Sequence, residues 1–269
     1  MRTCQELLAR LRSNVPPAEN SAFITCETEH SVKKSTPVRY AFVTALTTIT
    51  LAANADFNAA IDFSPTNNPN GVWRYGWSPM IGGTFVLDAI HTHDASSGFD
   101  VWSGSVVSPL GNFPVVVHNG TNSTVNSGTV RYAPGQLGIH PGPNGEYSIV
   151  RFVAPTSGQF VISAVFGGLD LQLPTTTDVH VLVNNIQIFN GSVGSFGSGP
   201  SISVLRLLGS GDTVDFSVGF GSNATYFHDS TSLMATISPV PEISTSVMLG
   251  LGSVLVLATR RRRQASTAA

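Results

Sequence analysis

Lysine is almost absent from this chain. Its two copies, Lys33 and Lys34, both fall in the first fifty residues, and charged side chains of every kind make up only 11% of 269 positions. Such scarcity excludes a charge-rich disordered chain, and it excludes a nucleic-acid binder, which needs clustered cations to neutralise phosphates. Cysteine is as rare, with Cys4 and Cys26 its only copies, so nothing beyond residue 26 can be built on a disulfide framework. Helix formers are crowded out by 26 Gly, 16 Pro and many Ser, Thr, Asn and Val. The chain therefore reads as mostly β. The formal net charge of −2 sums segments of opposite character and has to be taken apart along the chain.

The basic cluster Lys33, Lys34 and Arg39 precedes an apolar stretch from Tyr40 to Ala52 that closes on Ala53-Asn54-Ala55. A positive start, an apolar core too short to span a bilayer and an A-x-A site are the parts of a secretory signal peptide, and they predict cleavage between Ala55 and Asp56 by signal peptidase. The signal peptide then covers residues 32–55. Residues 1–31 form an unusual upstream extension, and a translation start near Val32 would restore the ordinary spacing. Neither cysteine survives cleavage, so stability in an oxidising exterior has to come from core size.

At the other end, Val240-Pro241-Glu242 leads through Ile243 and Ser244 into an apolar helix over 245–259, followed by Arg260, Arg261, Arg262 and Arg263. Four Arg directly after an apolar run hold that end in the cytoplasm and leave the preceding chain outside. The run is shorter than the ~20 residues of a comfortable span, which suits a recognition tail. The Val-Pro-Glu box, the glycine-bearing helix and the Arg cluster, together spanning residues 239–264, resemble the PEP-CTERM sorting signal of Gram-negative bacteria that make extracellular polysaccharide. That resemblance implies passage through the inner membrane, processing by an exosortase-type enzyme, and display on the cell surface or release into its matrix. The usual second proline of the motif is Ile243 here.

Between the two signals, residues 56–238 carry Arg74, Arg131, Arg151 and Arg206 against ten Asp and Glu146, a balance of −7. Apolar residues alternate in Phe85-x-Leu87-x-Ala89, in Phe160-x-Ile162-x-Ala164-x-Phe166, in Val179-x-Val181-x-Val183 and in Val214-x-Phe216-x-Val218, with Gly, Pro and Asn clusters between them. Strands at this spacing predict a single antiparallel β-sandwich of jelly-roll type, with a tight hairpin at Asn184-Asn185 and a Gly/Ser loop at 191–199. Short pieces such as Asn68 to Gly76, Ser148 to Pro155 and Gly211 to Gly219 resemble the jelly-roll modules of exported bacterial proteins, of which carbohydrate-binding modules are the best known.

Trp73, Tyr75 and Trp77 share one face of an extended segment, where aromatics either plug the core or stack on sugar rings. Trp73 reads as core. Tyr75 and Trp77, next to the loop residues Gly76, Ser78 and Pro79, are the candidate ligand-binding residues. His91-Thr92-His93-Asp94 has a chemistry suited to zinc but reads more simply as a polar rim, and a third ligand would have to come from His118, His140, His180 or His228. Asp229 resembles the acid that opens the last strand of many carbohydrate-binding jelly rolls and there helps hold a structural calcium; Asp62 and Asp170 are candidate companions, and the alternative is a turn-capping Asp. No nucleophile and no preferred pair of carboxylates stands out among eleven scattered acids. The expectation is a noncatalytic exported protein that associates with extracellular polysaccharide. The alternatives are a structural coat protein and a secreted hydrolase.

Overall fold

The structure, a computed structural model, describes residues 56–241. The upstream extension, the signal peptide with Ala53 and Ala55, and the sorting segment from Glu242 through Arg260–Arg263 lie outside the described residues.

Two antiparallel sheets pack face to face. From edge to edge, the larger consists of β14 (Ser201–Leu208), β11 (Gly158–Gly168), β16 (Thr231–Pro239), β9 (Leu137–His140), β6 (Gly111–Asn119), β5 (Phe99–Ser108) and β4 (Ile90–Asp94), with β1 (Phe57–Asn58) added against β16. The smaller runs β13 (Ile186–Val193), β12 (Thr177–Val183), β15 (Thr213–Gly219), β10 (Tyr147–Val153), β2 (Trp73–Ser78) and β3 (Val86–Leu87). From β10 onward the chain changes sheets at every step except the β12–β13 hairpin, which is jelly-roll connectivity. A separate ribbon of β7 (Val125–Ser127) and β8 (Val130–Tyr132) lies apart from both sheets.

Alternation decides which residues the layers enclose. Phe160, Ile162, Ala164 and Phe166 of β11 point inward with Leu233, Ala235 and Ile237 of β16, against Val179 and Val181 of β12, Val214, Phe216 and Val218 of β15, and Val150 and Phe152 of β10. The Phe152 ring sits 5.3 Å from Phe57, 5.5 Å from Trp73 and 6.2 Å from Phe160. Each fully buried large apolar side chain contributes about 1.5–3 kcal/mol, enough for a sandwich without disulfides. Asn184 and Asn185 take φ of 51° and 64°, the positive values that the tight β12–β13 turn requires.

One alternating run does not bury. Leu87 pairs with Gly76 on the outward face of the sheet, and Phe85 lies over the Arg151 guanidinium at 4.2 Å instead of entering the core. The residue that turns inward from β3 is Asp88, whose N–H donates to the Tyr75 carbonyl. The cause is the edge position: β3 has one neighbour, so its apolar residues can lie along the outer surface.

Candidate functional site

The aromatic trio of β2 is not a platform. Trp73 is core, as its position predicts, with its indole N–H donating to Asp62 Oδ2 at 3.1 Å. Tyr75 is also fully buried, its ring 5.0 Å from Phe63, because the β2 register places it on the inner face opposite Val150. This corrects its assignment as a stacking residue: no face of the ring is open to a sugar. Trp77 is partly buried further along the same face, and its indole N–H, the Tyr75 hydroxyl and both Asp88 oxygens are buried without partners. Burial alone pushes the Asp88 carboxyl well above its usual range and favours its neutral form.

Asp94 turns away from the histidines and accepts hydrogen bonds from Ser96 and Ser97 at 2.6–2.9 Å, closing its own turn. The carboxylate beside them is Asp100, whose Oδ1 lies 3.4 Å from His91 Nε2 and 2.9 Å from His93 Nδ1. Cross-strand register explains this, since His93 pairs with Asp100 and Asp100 with His118. His118 stacks on Phe63 at 4.7 Å, and burial lowers its pKa.

Asp229 is fully buried where it enters β16. Its Oδ1 accepts from Thr176 N–H at 2.9 Å and from the Thr177 hydroxyl at 3.1 Å, and Oδ2 is bare. Asp62 is committed elsewhere, to Asn58 N–H and the Trp73 indole, near the opposite end of β16. Asp170 sits beside His228, at 3.4 Å. Among the described residues, no three His, Cys, Asp or Glu side chains converge on a point that could hold a metal ion.

Two concave features stand out: a shallow one of about 330 Å³ beside Trp73, lined by Phe57, Asp62 and Asn70, and one on the outer face of the larger sheet, away from Tyr75 and Trp77. One wall is the β7–β8 ribbon, which docks on that face through a second small core of Phe99, Val117, Tyr132 and Leu169. Gly138 of β9 permits the docking, because a Cβ there would stand 2.6 Å from the Tyr132 ring. The buried Asn119 amide ties the adjoining loops, donating to the carbonyls of Ser123 and Ala133 at 2.9 Å and accepting from Thr121. The opposite wall is the segment around Phe196, which lies directly on the end of β11: Gly197 N–H donates to the Gly168 carbonyl at 2.8 Å and Gly168 N–H to Ser198 at 3.1 Å. A side chain on Gly168 would collide with the Ser195 carbonyl.

Between these walls is a cleft of about 300 Å³. Val165 and Met234 floor it, and Thr124, Arg131, Gln136 and Ser232 line it together with Phe196. Val165, Phe196 and Met234 are 42%, 43% and 60% exposed, so a row of apolar surface faces solvent here. Gln136 is held by its oxygen, which accepts from Ala133 N–H at 2.8 Å. Arg131 is held by its Nε, which donates to Asn126 Oδ1 at 3.1 Å, and its guanidinium carbon lies 5.8 Å from the Phe196 ring centre. The lining contains no acid, histidine or cysteine. It offers a π-face, an amide, hydroxyls and one fixed cation.

The sequence held a signal for this site. Phe196 is the single bulky residue in a Gly/Ser loop, where no core reaches it, and Arg131 is one of four cations in the sandwich.

No protein-family model matches the chain, and no curated protein matches it in sequence. Among solved structures, it is similar to a carbohydrate-binding module, CBM51, from Clostridium perfringens GH95 in complex with methyl-galactose, at 12% identity over 51% of this chain and 91% of that one, with a TM-score of 0.32. A family 35 carbohydrate-binding module from Clostridium thermocellum aligns at 12% identity over 62% of this chain and 98% of that one, with a TM-score of 0.27. A β-glucosidase from Kluyveromyces marxianus aligns at 18% identity over 63% of this chain and 19% of its own, also with a TM-score of 0.27.

Proposed function

We propose that this protein is a noncatalytic binder of extracellular polysaccharide and that the cleft beside Phe196 is where a glycan chain lies. The observation that carries the reading is the make-up of that cleft. A half-exposed Phe ring can meet the apolar C–H face of a pyranose, while Gln136, Thr124 and Ser232 supply donors and acceptors for hydroxyls. Its volume sits at the low end of small-ligand clefts, which span about 300–1,000 Å³. Val165 and Met234 continue the apolar floor along the sheet, so a chain can run out of the cleft across β11 and β16.

Glycoside hydrolysis needs two carboxylates flanking the scissile bond, and the lining supplies none. Recognition without turnover is the chemistry these side chains support. Delivery by the signal peptide and the PEP-CTERM-like tail to a polysaccharide-rich exterior belongs to the same reading.

The test is affinity electrophoresis of the full chain through gels containing different polysaccharides, with Phe196→Ala beside the natural protein. Stacking on one ring is worth about 1 kcal/mol beyond its area, so retention should weaken roughly five- to tenfold. Retention by no polysaccharide, or retention that Phe196→Ala leaves unchanged, overturns the assignment. Release of reducing ends from a retained glycan overturns the noncatalytic part.

A further inference from the structure

The state of Arg131 narrows the ligand. We infer that the glycan taken by this cleft is acidic, and that Arg131 binds a sugar carboxylate through the paired amino groups of its guanidinium; the inference rests on the cleft being the glycan site.

Arg131 is placed rather than loose. It stands opposite Asn126 in the β7–β8 ribbon, its backbone N–H donates to the Leu169 carbonyl at 2.9 Å, and its Nε is spent on Asn126 Oδ1 at 3.1 Å. That leaves the two terminal amino groups, which have no protein partner among the described residues. The acceptor holding Nε is a neutral amide, so the charge is not compensated there. Among the described residues no carboxylate comes within 4.0 Å of this guanidinium. Arg151, by contrast, meets Asp215 at 2.6 and 2.7 Å. In residues 56–238, eleven acids outnumber four Arg, yet the cleft lining contains none of the eleven. The cleft thus carries an exposed, uncompensated cation in a stretch, residues 56–238, that is otherwise negative.

An anion is what such a point selects. A guanidinium held at Nε presents its remaining amino groups as a fork that matches the two oxygens of a carboxylate, and charge-assisted pairs of this kind are about twice as strong as neutral hydrogen bonds. The guanidinium lies over the Phe196 ring, its carbon 5.8 Å from the ring centre, so the group recognised carries its anion next to an apolar ring. A uronic acid unit has that shape: a pyranose ring with a carboxylate on C5. A neutral hexose offers only a hydroxymethyl group at the same place, which gives the fork one neutral acceptor and leaves its charge uncompensated. The negative charge of residues 56–238 opposes indiscriminate attraction of polyanions there, and the basic clusters at Lys33–Arg39 and Arg260–Arg263 are unchanged by a substitution at Arg131, so retention lost on that substitution reports this point.

The experiment compares retention of the full chain by polygalacturonate, by the same polymer after reduction of its carboxylates to hydroxymethyl groups, and by a sulfated neutral glucan. Polygalacturonate should retain the protein at least about tenfold more strongly than its reduced form. Arg131→Gln should remove that difference, and Arg131→Lys, which keeps the charge but loses the fork, should restore only part of it. Arg206→Gln, an equal change in net charge outside the cleft, should leave retention unaltered. Equal retention by the acidic and reduced polymers, with Phe196→Ala still weakening both, overturns the acidic ligand while the glycan cleft stands. Preference for the sulfated glucan overturns the carboxylate assignment. Retention by none of the three and by no other glycan removes the cleft reading itself.

Discussion

Replacing Asp229 with Asn should stabilise this protein at neutral pH and not at acid pH. Burial is the largest influence on the Asp229 carboxyl and drives its pKa up to about 6; hydrogen bonds from Thr176 and Thr177 pull against it, Asp178 adds to it and His228 opposes it. In the unfolded chain the value returns to near 3.8. A carboxyl whose folded value is the higher one holds its proton more tightly in the folded state. Its contribution is therefore complete below about pH 3.8 and is lost as pH rises through about 6. Two units at about 1.4 kcal/mol each make that loss about 3 kcal/mol by pH 7. Asn keeps the acceptor that Thr176 and Thr177 use and never ionises. An unpaired amide hydrogen where Oδ2 now stands costs about 1 kcal/mol at every pH. The variant should thus be slightly the less stable protein near pH 4 and about 2 kcal/mol the more stable at pH 7.

Urea unfolding of both proteins at pH 4, 5, 6 and 7 measures this, and the difference between them cancels the titrating groups that do not act on Asp229, leaving Asp178 and His228 as its only coupled neighbours. The change in that difference, about 3 kcal/mol across the series, is the quantity to read. A flat difference refutes the reasoning. A variant that is less stable at pH 7, with EDTA lowering the natural protein's melting temperature and not the variant's, shows instead that Asp229 holds a cation, the alternative to a turn-capping Asp that its resemblance to the acid of carbohydrate-binding jelly rolls implies.

Further outcomes follow from the packing. Gly168→Ala forces a methyl group into the Ser195 carbonyl; it should cost about 1–3 kcal/mol in thermal unfolding and weaken glycan retention by displacing Phe196. Arg151→Ala leaves the Asp215 carboxylate, 4% exposed, without its bidentate partner; a loss of about 3 kcal/mol is expected in denaturant unfolding, larger than the loss from Arg206→Ala. Mass spectrometry of the exported protein should find its first residue at Asp56 and its Arg260–Arg263 cluster removed, and substituting Pro241 or Glu242 should hold it in the inner membrane.

Much of the sandwich could be read from the sequence, for a physical reason that also marks where reading fails. A strand with neighbours on both sides and a sheet packed on one face has a forced alternation: β11 buries every second residue from Phe160 to Phe166, β12 does so as far as Val181, and β15 sends Val214, Phe216 and Val218 into the core although Asp215 and Ser217 between them are buried too. At an edge that constraint is halved. β3 has a single partner, so Phe85 and Leu87 could turn outward, Phe85 over Arg151, and the inward place fell to Asp88. The same logic misled the reading of β2. Gly76, Ser78 and Pro79 mark a loop to the eye, yet six residues from Trp73 to Ser78 pair with β10, and that register carries Tyr75 inside.

The cleft was harder to see because its parts are distant in sequence and join through contacts that leave no periodic trace. Arg131 comes from a ribbon outside both sheets, Gln136 from the turn before β9, Phe196 from a Gly/Ser loop, and Val165 and Met234 from the outward positions of two central strands. Outward residues of a strand are constrained by little except solubility, and Leu205 and Leu207 of β14 are exposed as Val165 and Met234 are, so exposure alone does not single the cleft out. A lone Phe in a run of Gly and Ser is anomalous, since such a loop has no apolar surroundings of its own. What brings the Phe to the exposed pair is two glycines. Without a Cβ, Gly168 and Gly199 let the Phe196 segment lie on the end of β11, and the ring then lines one cleft with Val165, Met234 and Arg131. The chain thus spends its backbone freedom, in the stretch from 191 to 199, on bringing one aromatic ring to one cation.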